Sequence, residues 1–333
     1  MSSAPTRPLH ISTAPFLHSG LTTQRVMFEV VAAALVVLAG AAYYFGLSAL
    51  LLALVTILGA VLTEWFFQKE RRGLGVLKDG SALLTGVLLA LTLPPAMPLW
   101  MAFLGGVMAI VLGKLIWGGL GYNLFNPALV GRAFLQAAFP TVITTWTAVG
   151  QPFVQTPGST LAAPLMHVDV VTTATPLGLA KFEHQITDIW PLLVGNTAGS
   201  LGETFGLLII VCGLYLGIRG IFDWRLSVST LLSVAVLSGI LHFANPEAYP
   251  NALFMLCSGG LLLGAAFMVT DPVTTPITTK GAWIFGAGVG VLVVLIRLFG
   301  GLPEGVMYAI LLMNGVTPLI NRYTQPKPFG GKA

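Results

Sequence analysis

Long apolar runs, separated by short polar or Gly- and Pro-containing segments, make up most of this chain. About 20 apolar residues are enough to cross a bilayer as a helix. The pattern therefore predicts ten spans, five on each side of a polar interruption that begins at Pro140 and ends at Asp188. The predicted spans are 26–46, 47–67, 80–93, 97–117, 126–139, 204–221, 225–243, 252–270, 281–299 and 304–320.

Two of these segments, 80–93 and 126–139, are short for a full crossing. Non-spanning helical pieces occur at membrane depth where surrounding protein buries them. We therefore expect half-helices or tilted pieces at these two places.

Composition supports a membrane protein, since 56% of the residues are hydrophobic and only 8% are charged. Soluble domains carry about 25% charged residues. The net charge of +4 does not indicate nucleic-acid binding, because the basic residues lie in the short segments between spans. The first 25 residues lack an apolar core, so no cleaved signal peptide is expected. The predicted fold class is an all-α polytopic membrane protein.

Metal chemistry from this chain alone is not expected. Cys212 and Cys257 are the only cysteines, and both lie in apolar runs. Two cysteines are too few for an iron–sulfur cluster or a zinc site. The five histidines include no pair at ligand spacing, and no phosphate-binding loop or nucleophile elbow is present.

Lysine and arginine positions predict the orientation, because basic residues concentrate on the cytoplasmic side. With a cytoplasmic N-terminus, twelve basic residues fall inside and only Lys181 falls clearly outside. This places both termini in the cytoplasm and the long interruption in the periplasm or at the cell exterior. The predicted regions are an N-terminal segment 1–25, a first five-helix repeat 26–139, a periplasmic segment 140–203, a second repeat 204–321 and a tail 322–333.

An internal repeat relates the two halves. The sequence GSALLTGVLLALTLPP (Gly80–Pro95) resembles SGGLLLGAAFMVTDP (Ser258–Pro272), and the match aligns Thr92 with Thr270 and Pro94 with Pro272. Because each unit has five spans, the second copy must be inverted, as in many transport folds. A chance likeness of glycine-rich helices is the alternative.

The paired breaks are candidates for a site. Freed carbonyls at Thr92–Pro95 and at Thr270–Asp271–Pro272 can bind a cation or a small polar molecule. The alternative is that both are helix ends at the bilayer surface. Arg132 lies well inside a short span, where an ionisable residue suggests function, and we expect a buried partner for it.

Other charged residues have two interpretations. Lys114 and Arg297 can bind an anion or a partner's acid, but we favour side chains that reach to the bilayer interface. Most of the acids near span ends are interpreted as capping residues or partners of the basic loops, with one or two as ligands for Na⁺ or protons. These acids are Glu29, Glu64, Asp79, Glu203 and Asp271.

The polar interruption contains DVVTTATPLG (Asp169–Gly178), which has three threonines within four positions. By composition alone this is an ordinary loop.

Several motifs, in the same order, resemble the D subunit of the Rnf ion-translocating ferredoxin:NAD⁺ oxidoreductase and the related B subunit of the Na⁺-translocating NADH:quinone oxidoreductase. The resemblance covers nearly the whole chain. The motifs are ISTAPFLHSGLTTQRVM (11–27), DGSALLTGVLLALTLPP (79–95), GYNLFNPALVGRAF (121–134), GNTAGSLGET (195–204), FMVTDPVTTP (267–276) and PEGVMYAILLMN (303–314).

The resemblance implies a covalent FMN, attached by a flavin transferase through a phosphoester to a loop threonine. The family's pattern is Asp, a short spacer, then Ser-Gly-Ala-Thr with the last Thr modified. Here it matches Asp169, Thr172, Thr173, Ala174 and Thr175, so that Thr175 is the expected attachment residue. Thr172 stands in place of Ser and Thr173 in place of Gly.

The resemblance further implies a fold like that of urea transporters and a second, non-covalent flavin such as riboflavin. Candidate residues for that second flavin, or for an ion, are Thr92, Pro94, Thr270, Asp271 and Arg132; the segment GNTAGSLGET is a further candidate. The implied function is a membrane subunit that relays electrons between partner subunits and couples this to H⁺ or Na⁺ movement, without turnover of its own.

Two alternatives remain from the sequence. One is a small-solute channel or carrier on the same fold with no redox role. The other is a structural scaffold.

Overall fold

The computed structural model describes residues 22–72, 78–150, 152–154, 156–164, 166 and 172–326. All regular elements in this part of the chain are helical. The α-helices are α1 (Thr23–Phe45), α2 (Leu47–Arg72), α3 (Ser81–Leu91), α4 (Leu99–Ile110), α5 (Pro127–Ala138), α6 (Pro140–Ile143), α7 (Pro176–Gly178), α8 (Ile189–Val194), α9 (Gly206–Ile218), α10 (Trp224–Ala244), α11 (Ala252–Cys257), α12 (Leu261–Leu263), α13 (Thr279–Phe299) and α14 (Val306–Thr324). Single π-helical turns follow α4 (Val111–Leu115), α7 (Leu179–Glu183) and α12 (Gly264–Met268).

Four helices of the described chain are long and apolar enough to cross a membrane: α1, α10, α13 and the part Leu47–Gln68 of α2. Shorter apolar helices occupy Ser81–Leu91, Leu99–Leu115 and Gly206–Ile218. The protein is therefore a multi-pass, all-helical membrane protein.

Helices overlap each of the ten predicted segments, and α3 and α5 have only 11 and 12 residues. At a rise of 1.5 Å per residue, such helices cover about 16–18 Å, roughly half of the hydrocarbon thickness. The expectation of short helical pieces at these two places is confirmed.

The prediction of one continuous span over 252–270 is wrong. The chain breaks between α11 and α12, where Gly259 has a φ of +63°. A Cβ on the next residue, Gly260, would lie 2.6 Å from Oε1 of Glu304. The break thus needs two glycines, one for its backbone angle and one for the close approach of a carboxylate.

The two halves repeat their neighbour relations. α2 packs on α4 and α4 on α5 in the first half, whereas α10 packs on α13 and α13 on α14 in the second. Glycines permit the closest of these contacts: a Cβ at Gly106 would lie 2.5 Å from the Thr56 carbonyl oxygen, and one at Gly290 would lie 2.6 Å from that of Thr230. Small residues allow this backbone approach between membrane helices. The inverted orientation of the two sets stays a prediction.

The GNTAGSLGET segment joins the halves. Leu201 N donates to Leu93 O at 3.1 Å and Gly202 N donates to Leu91 O at 2.6 Å, at the end of α3. A Cβ on Gly202 would also lie 2.6 Å from Cδ2 of Leu263 in α12. This segment therefore connects the C-terminal end of α3 in the first half with α12 in the second half.

Candidate functional site

A cavity of about 450 Å³, here named the threonine cavity, opens beside the predicted attachment loop. Its wall includes all four residues of the segment 172–175, the aromatic rings of Trp146, Phe182 and Tyr308, and the charged side chains of Arg132 and Glu304. Residues far apart in sequence therefore meet around the predicted attachment residue.

Thr175 occupies the N-cap of α7, with an extended backbone at φ −76° and ψ 156°, and Pro176 follows at the first helical position. Its Oγ1 accepts a hydrogen bond from Gly178 N at 3.1 Å. Threonine is a favoured N-cap and proline suits the first helical position, which explains the local fold. The residue is only 9% exposed, so its hydroxyl belongs to the cavity wall.

Thr173 is held by the backbone of Trp146, whose carbonyl oxygen accepts from Thr173 N at 2.8 Å. Among the described residues other than glycine, only His184 and Phe205 have a positive φ. The backbone at Thr173 therefore does not require the glycine that the family's pattern has at this place. Asp169, the first residue of that pattern, lies outside the described residues.

Arg132 has the buried partner that its position led us to expect. Nη2 donates to Glu304 Oε2 at 2.7 Å and Nη1 donates to Thr92 O at 2.6 Å. Glu304 Oε1 accepts in turn from Gly260 N at 2.9 Å. This ion pair connects α5, the end of α3 and the α11–α12 break at one wall of the threonine cavity.

A second carboxyl group lies behind this pair. Glu203 is within hydrogen-bonding reach of Glu304, and its Oε1 accepts from Ser200 Oγ at 2.8 Å. Glu203 is therefore a second carboxyl group adjacent to the Arg132–Glu304 pair.

Glu304 was not among the site residues predicted from the sequence. A signal was available, since Glu304 is the only acid after Asp271. A basic residue within a span, such as Arg132, pairs either with an acid or with backbone carbonyls, and Glu304 was a candidate for the first.

Lys114 and Glu64 form a second buried pair, with Nζ of Lys114 2.5 Å from Oε1 of Glu64 and 2.5 Å from Oγ of Ser81. Lys114 lines a cavity of about 70 Å³, here named the small cavity, together with Thr270 and Asp271. Ligand pockets for small molecules have about 300–1,000 Å³, so the small cavity has room for water-sized occupants and not for a flavin.

The expectation that Lys114 and Arg297 reach to the bilayer interface is wrong, because both are buried. The Arg297 guanidinium donates to Met255 O at 2.6 Å and to Ser258 O at 2.8 Å. These two carbonyls are freed at the α11–α12 break, and the Lys114 amine has a carboxylate. Internal acceptors therefore replace water in both cases.

The structure does not bring the five candidates for a second flavin or ion site together. Arg132 lines the threonine cavity and is bonded to the Thr92 carbonyl. Thr270 and Asp271 line the small cavity, where the Asp271 carboxylate accepts from Val273 N and Thr274 Oγ1. Pro94 lies in the turn after α3 and lines neither cavity.

Lys181 fixes the segment that follows Thr175. Its Nζ donates to the carbonyl oxygens of Arg297 at 2.8 Å, Gly300 at 2.5 Å and Leu302 at 3.1 Å, at the C-terminal end of α13. Partial burial lowers the pKa of this amine below its usual range. The cation lies where a helix dipole favours positive charge, so Lys181 anchors the attachment segment to the second half.

Comparison with known proteins gives the family. The model of the NQR2, RnfD, RnfE family matches residues 10–330. The chain belongs to this family. It is 40% identical, over 96% of both chains, to the D subunit of the "Proton-translocating ferredoxin:NAD(+) oxidoreductase complex" of Clostridium ljungdahlii. It is also 41% identical, over 94% of this chain and 93% of the relative, to the D subunit of the "Ion-translocating oxidoreductase complex" of Stutzerimonas stutzeri.

A third relative is the D subunit of the "Na(+)-translocating ferredoxin:NAD(+) oxidoreductase complex" of Acetobacterium woodii, 39% identical over 97% of this chain and 95% of the relative. The relatives named for protons and for sodium are thus about equally similar to this chain. Overall identity therefore does not select the ion.

Proposed function

We propose that this chain is the membrane-embedded D subunit of an Rnf-type ion-translocating ferredoxin:NAD⁺ oxidoreductase complex, and that it carries FMN esterified to Thr175. Electrons pass through it between partner subunits, coupled to movement of H⁺ or Na⁺. The observation that carries the proposal is the position of Thr175 in the wall of a 450 Å³ cavity that is also lined by aromatic and charged residues.

The residues of the threonine cavity fit a flavin. Its volume lies within the range of ligand pockets, and Trp146, Phe182 and Tyr308 offer aromatic faces to a flat ring system. Arg132 supplies positive charge, and Thr172 and Thr173 supply hydroxyl groups. When bound, FMN supplies one- and two-electron transfer, while the protein supplies position and electrostatics.

The chain's own residues have distinct tasks in this proposal. Thr175 would supply the oxygen atom through which the flavin phosphate is held, and Gly178 N donates a hydrogen bond to that oxygen. Lys181 holds the attachment segment against α13, and the aromatic side chains limit the access of water.

We also propose the finer architecture and orientation. The repeated neighbour relations of the two halves and the matched Thr-x-Pro breaks support two inverted five-helix repeats. The distribution of Lys and Arg supports cytoplasmic termini and a periplasmic attachment segment in a bacterial inner membrane. No second flavin is proposed at the small cavity, because its volume of about 70 Å³ is too small.

In-gel flavin fluorescence tests the proposal. The complex is produced in bacterial membranes together with its flavin transferase, and the denatured subunits are separated on a gel. We expect a fluorescent band at the mass of this subunit and no band in Thr175→Ala. Thr145→Ala is the matched control, because this threonine lies outside the family's pattern, does not line the threonine cavity and has a hydroxyl that donates to the Thr141 carbonyl; it is expected to keep a fluorescent band.

Intact-mass analysis of the same samples gives an independent readout. An unmodified wild-type chain, made together with an active transferase, would contradict the electron-relay proposal. Selective solute flux through such an unmodified chain in liposomes would instead support the channel or carrier.

A further inference from the structure

Arg132 presents an incompletely bonded guanidinium at the threonine cavity. The residue is 8% exposed, and its two terminal nitrogens bond to Glu304 and to the Thr92 carbonyl. Its Nε has no hydrogen-bond partner among the described residues. Nε of Arg297 is also without such a partner, so the feature that distinguishes Arg132 is its position in the wall of the threonine cavity.

The two bonds hold the guanidinium in place from the protein side. A carbonyl oxygen of one half-helix and a carboxylate from the lead-in to α14 fix the plane of the group, so the charge is in position before a ligand enters. In a site with little water, such a preorganised cation stabilises nearby negative charge more strongly than it would in bulk water.

Glu304 places a negative charge at the same wall and therefore counteracts the positive charge of Arg132. Its carboxylate also lines the threonine cavity and is bonded to Arg132 and to Gly260 N. Glu183 also lines the cavity, so the net potential there depends on how far the negative charges of Glu304 and Glu183 offset the positive charge of Arg132.

We propose that Arg132 makes a flavin on Thr175 easier to reduce by stabilising the negative charge that an added electron brings, and that Glu304 limits this effect. The inference rests on the proposed function. The step transfers one electron to the flavin from a reduced one-electron carrier of a partner subunit, which is oxidised by one electron. No bond in this chain forms or breaks, and no proton is required.

The test uses redox titration of the flavin in the assembled complex, with Arg132→Met and Glu304→Gln as the informative pair. Both substitutions break the same 2.7 Å ion pair. Damage to the structure alone would thus shift the midpoint potential in the same direction in both variants. An electrostatic role predicts shifts of opposite sign, because one variant removes a positive charge and the other a negative one.

We expect Arg132→Met to lower the equilibrium constant for adding one electron by about tenfold, which is about 59 mV. Glu304→Gln is expected to raise it. Arg132→Lys retains the charge and should shift the potential less than Arg132→Met does.

Arg297→Met is the matched control. Arg297 is a second buried arginine, but it bonds to the carbonyls of Met255 and Ser258 and does not line the threonine cavity. Its substitution should leave the flavin potential closer to that of the wild type. An equal shift in Arg297→Met would contradict a specific role for Arg132.

Two failures are distinguishable. If the wild type carries no flavin in the gel assay, the proposed function fails. If Arg132→Met and Glu304→Gln both carry flavin and both potentials are unchanged or move in one direction, the role of Arg132 is refuted while the proposed function stands. Should Arg132→Met not assemble, Glu304→Gln and Arg132→Lys still give the sign and the size of the effect.

Discussion

The threonine cavity and the small cavity are lined by similar types of residue and differ in volume. Each has a buried basic side chain paired with a glutamate, and α3 connects the two: Ser81, its first residue, bonds to Lys114, and Thr92, just after its end, bonds to Arg132. The length of this helix separates the pairs by about 16 Å.

Their exposure and surroundings differ. The side chains of Lys114 and Glu64 are 2% and 1% exposed, whereas those of Arg132 and Glu304 are 9% and 19% exposed. Of the first pair only Lys114 borders the small cavity, of about 70 Å³, whereas both members of the second pair border the threonine cavity, of about 450 Å³. A buried charge within a span therefore does not by itself identify a ligand site, because the space beside the charge decides whether it stabilises the fold or faces a ligand.

The largest expected effect on stability is at the fully buried Lys114–Glu64 pair. Lys114→Met removes the cation bonded to Glu64 in a fully buried place, and breaking a buried ion pair from one side costs about 3–5 kcal/mol. We expect a large loss of thermal stability in detergent. Arg132→Met should cost less, about 1.5–3 kcal/mol, because its partner is partly exposed and the substitution mainly removes charged hydrogen bonds.

The double variant Lys114→Met with Glu64→Gln is the control for this prediction. It should recover much of the lost stability, because the negative charge that Lys114 faces is then removed together with the cation. If Lys114→Met were no less stable than Arg132→Met, the distinction between the fully buried and the partly exposed ion pair would be wrong.

An intermediate effect is expected at the anchor of the attachment segment. Lys181→Met removes an ammonium group that bonds to three carbonyls at the end of α13, and charge at a helix end contributes up to about 2 kcal/mol. We expect faster protease cleavage within 176–183 on membranes. Lys181→Arg keeps the charge and should be cleaved more slowly than Lys181→Met. Equal cleavage in Lys181→Met and the wild type would show that these bonds do not hold the segment.

The smallest effect concerns the departure from the family's pattern. Thr173→Gly restores the family's glycine at a place with an ordinary backbone angle. Added flexibility should cost about 0.5–1 kcal/mol, and in-gel flavin fluorescence should not change. A strong gain in fluorescence would show that the β-branched side chain hinders the transferase, contrary to this prediction.

Much of the fold could be predicted because long apolar runs report helices directly. The break at Ser258–Gly260 could not, since a run of glycine and leucine is compatible with a continuous helix. Only the tertiary contact between Gly260 and Glu304 makes the break evident.

The candidate site was partly accessible from the sequence. The resemblance identified the residues 172–175, but composition did not. The partner of Arg132 lies 172 residues away in the chain, and local patterns carry no information on such pairing. The wrong prediction that Lys114 and Arg297 reach to the bilayer interface has the same origin. Their hydrogen-bond acceptors lie elsewhere in the chain and cannot be read from the local sequence, so the interface was the only expected place for the charges.

The near-complete coverage of Thr175 has a consequence for how the protein is made. Under the proposed function, the transferase has to reach this oxygen before the 172–183 segment packs against α13 and α14. Chains that pack earlier would then remain without flavin. We therefore expect a mixture of flavin-bearing and flavin-free chains when the protein is synthesised faster than the transferase modifies it. The fraction of chains that carry flavin then depends on the relative rates of synthesis and modification, and not on a binding affinity.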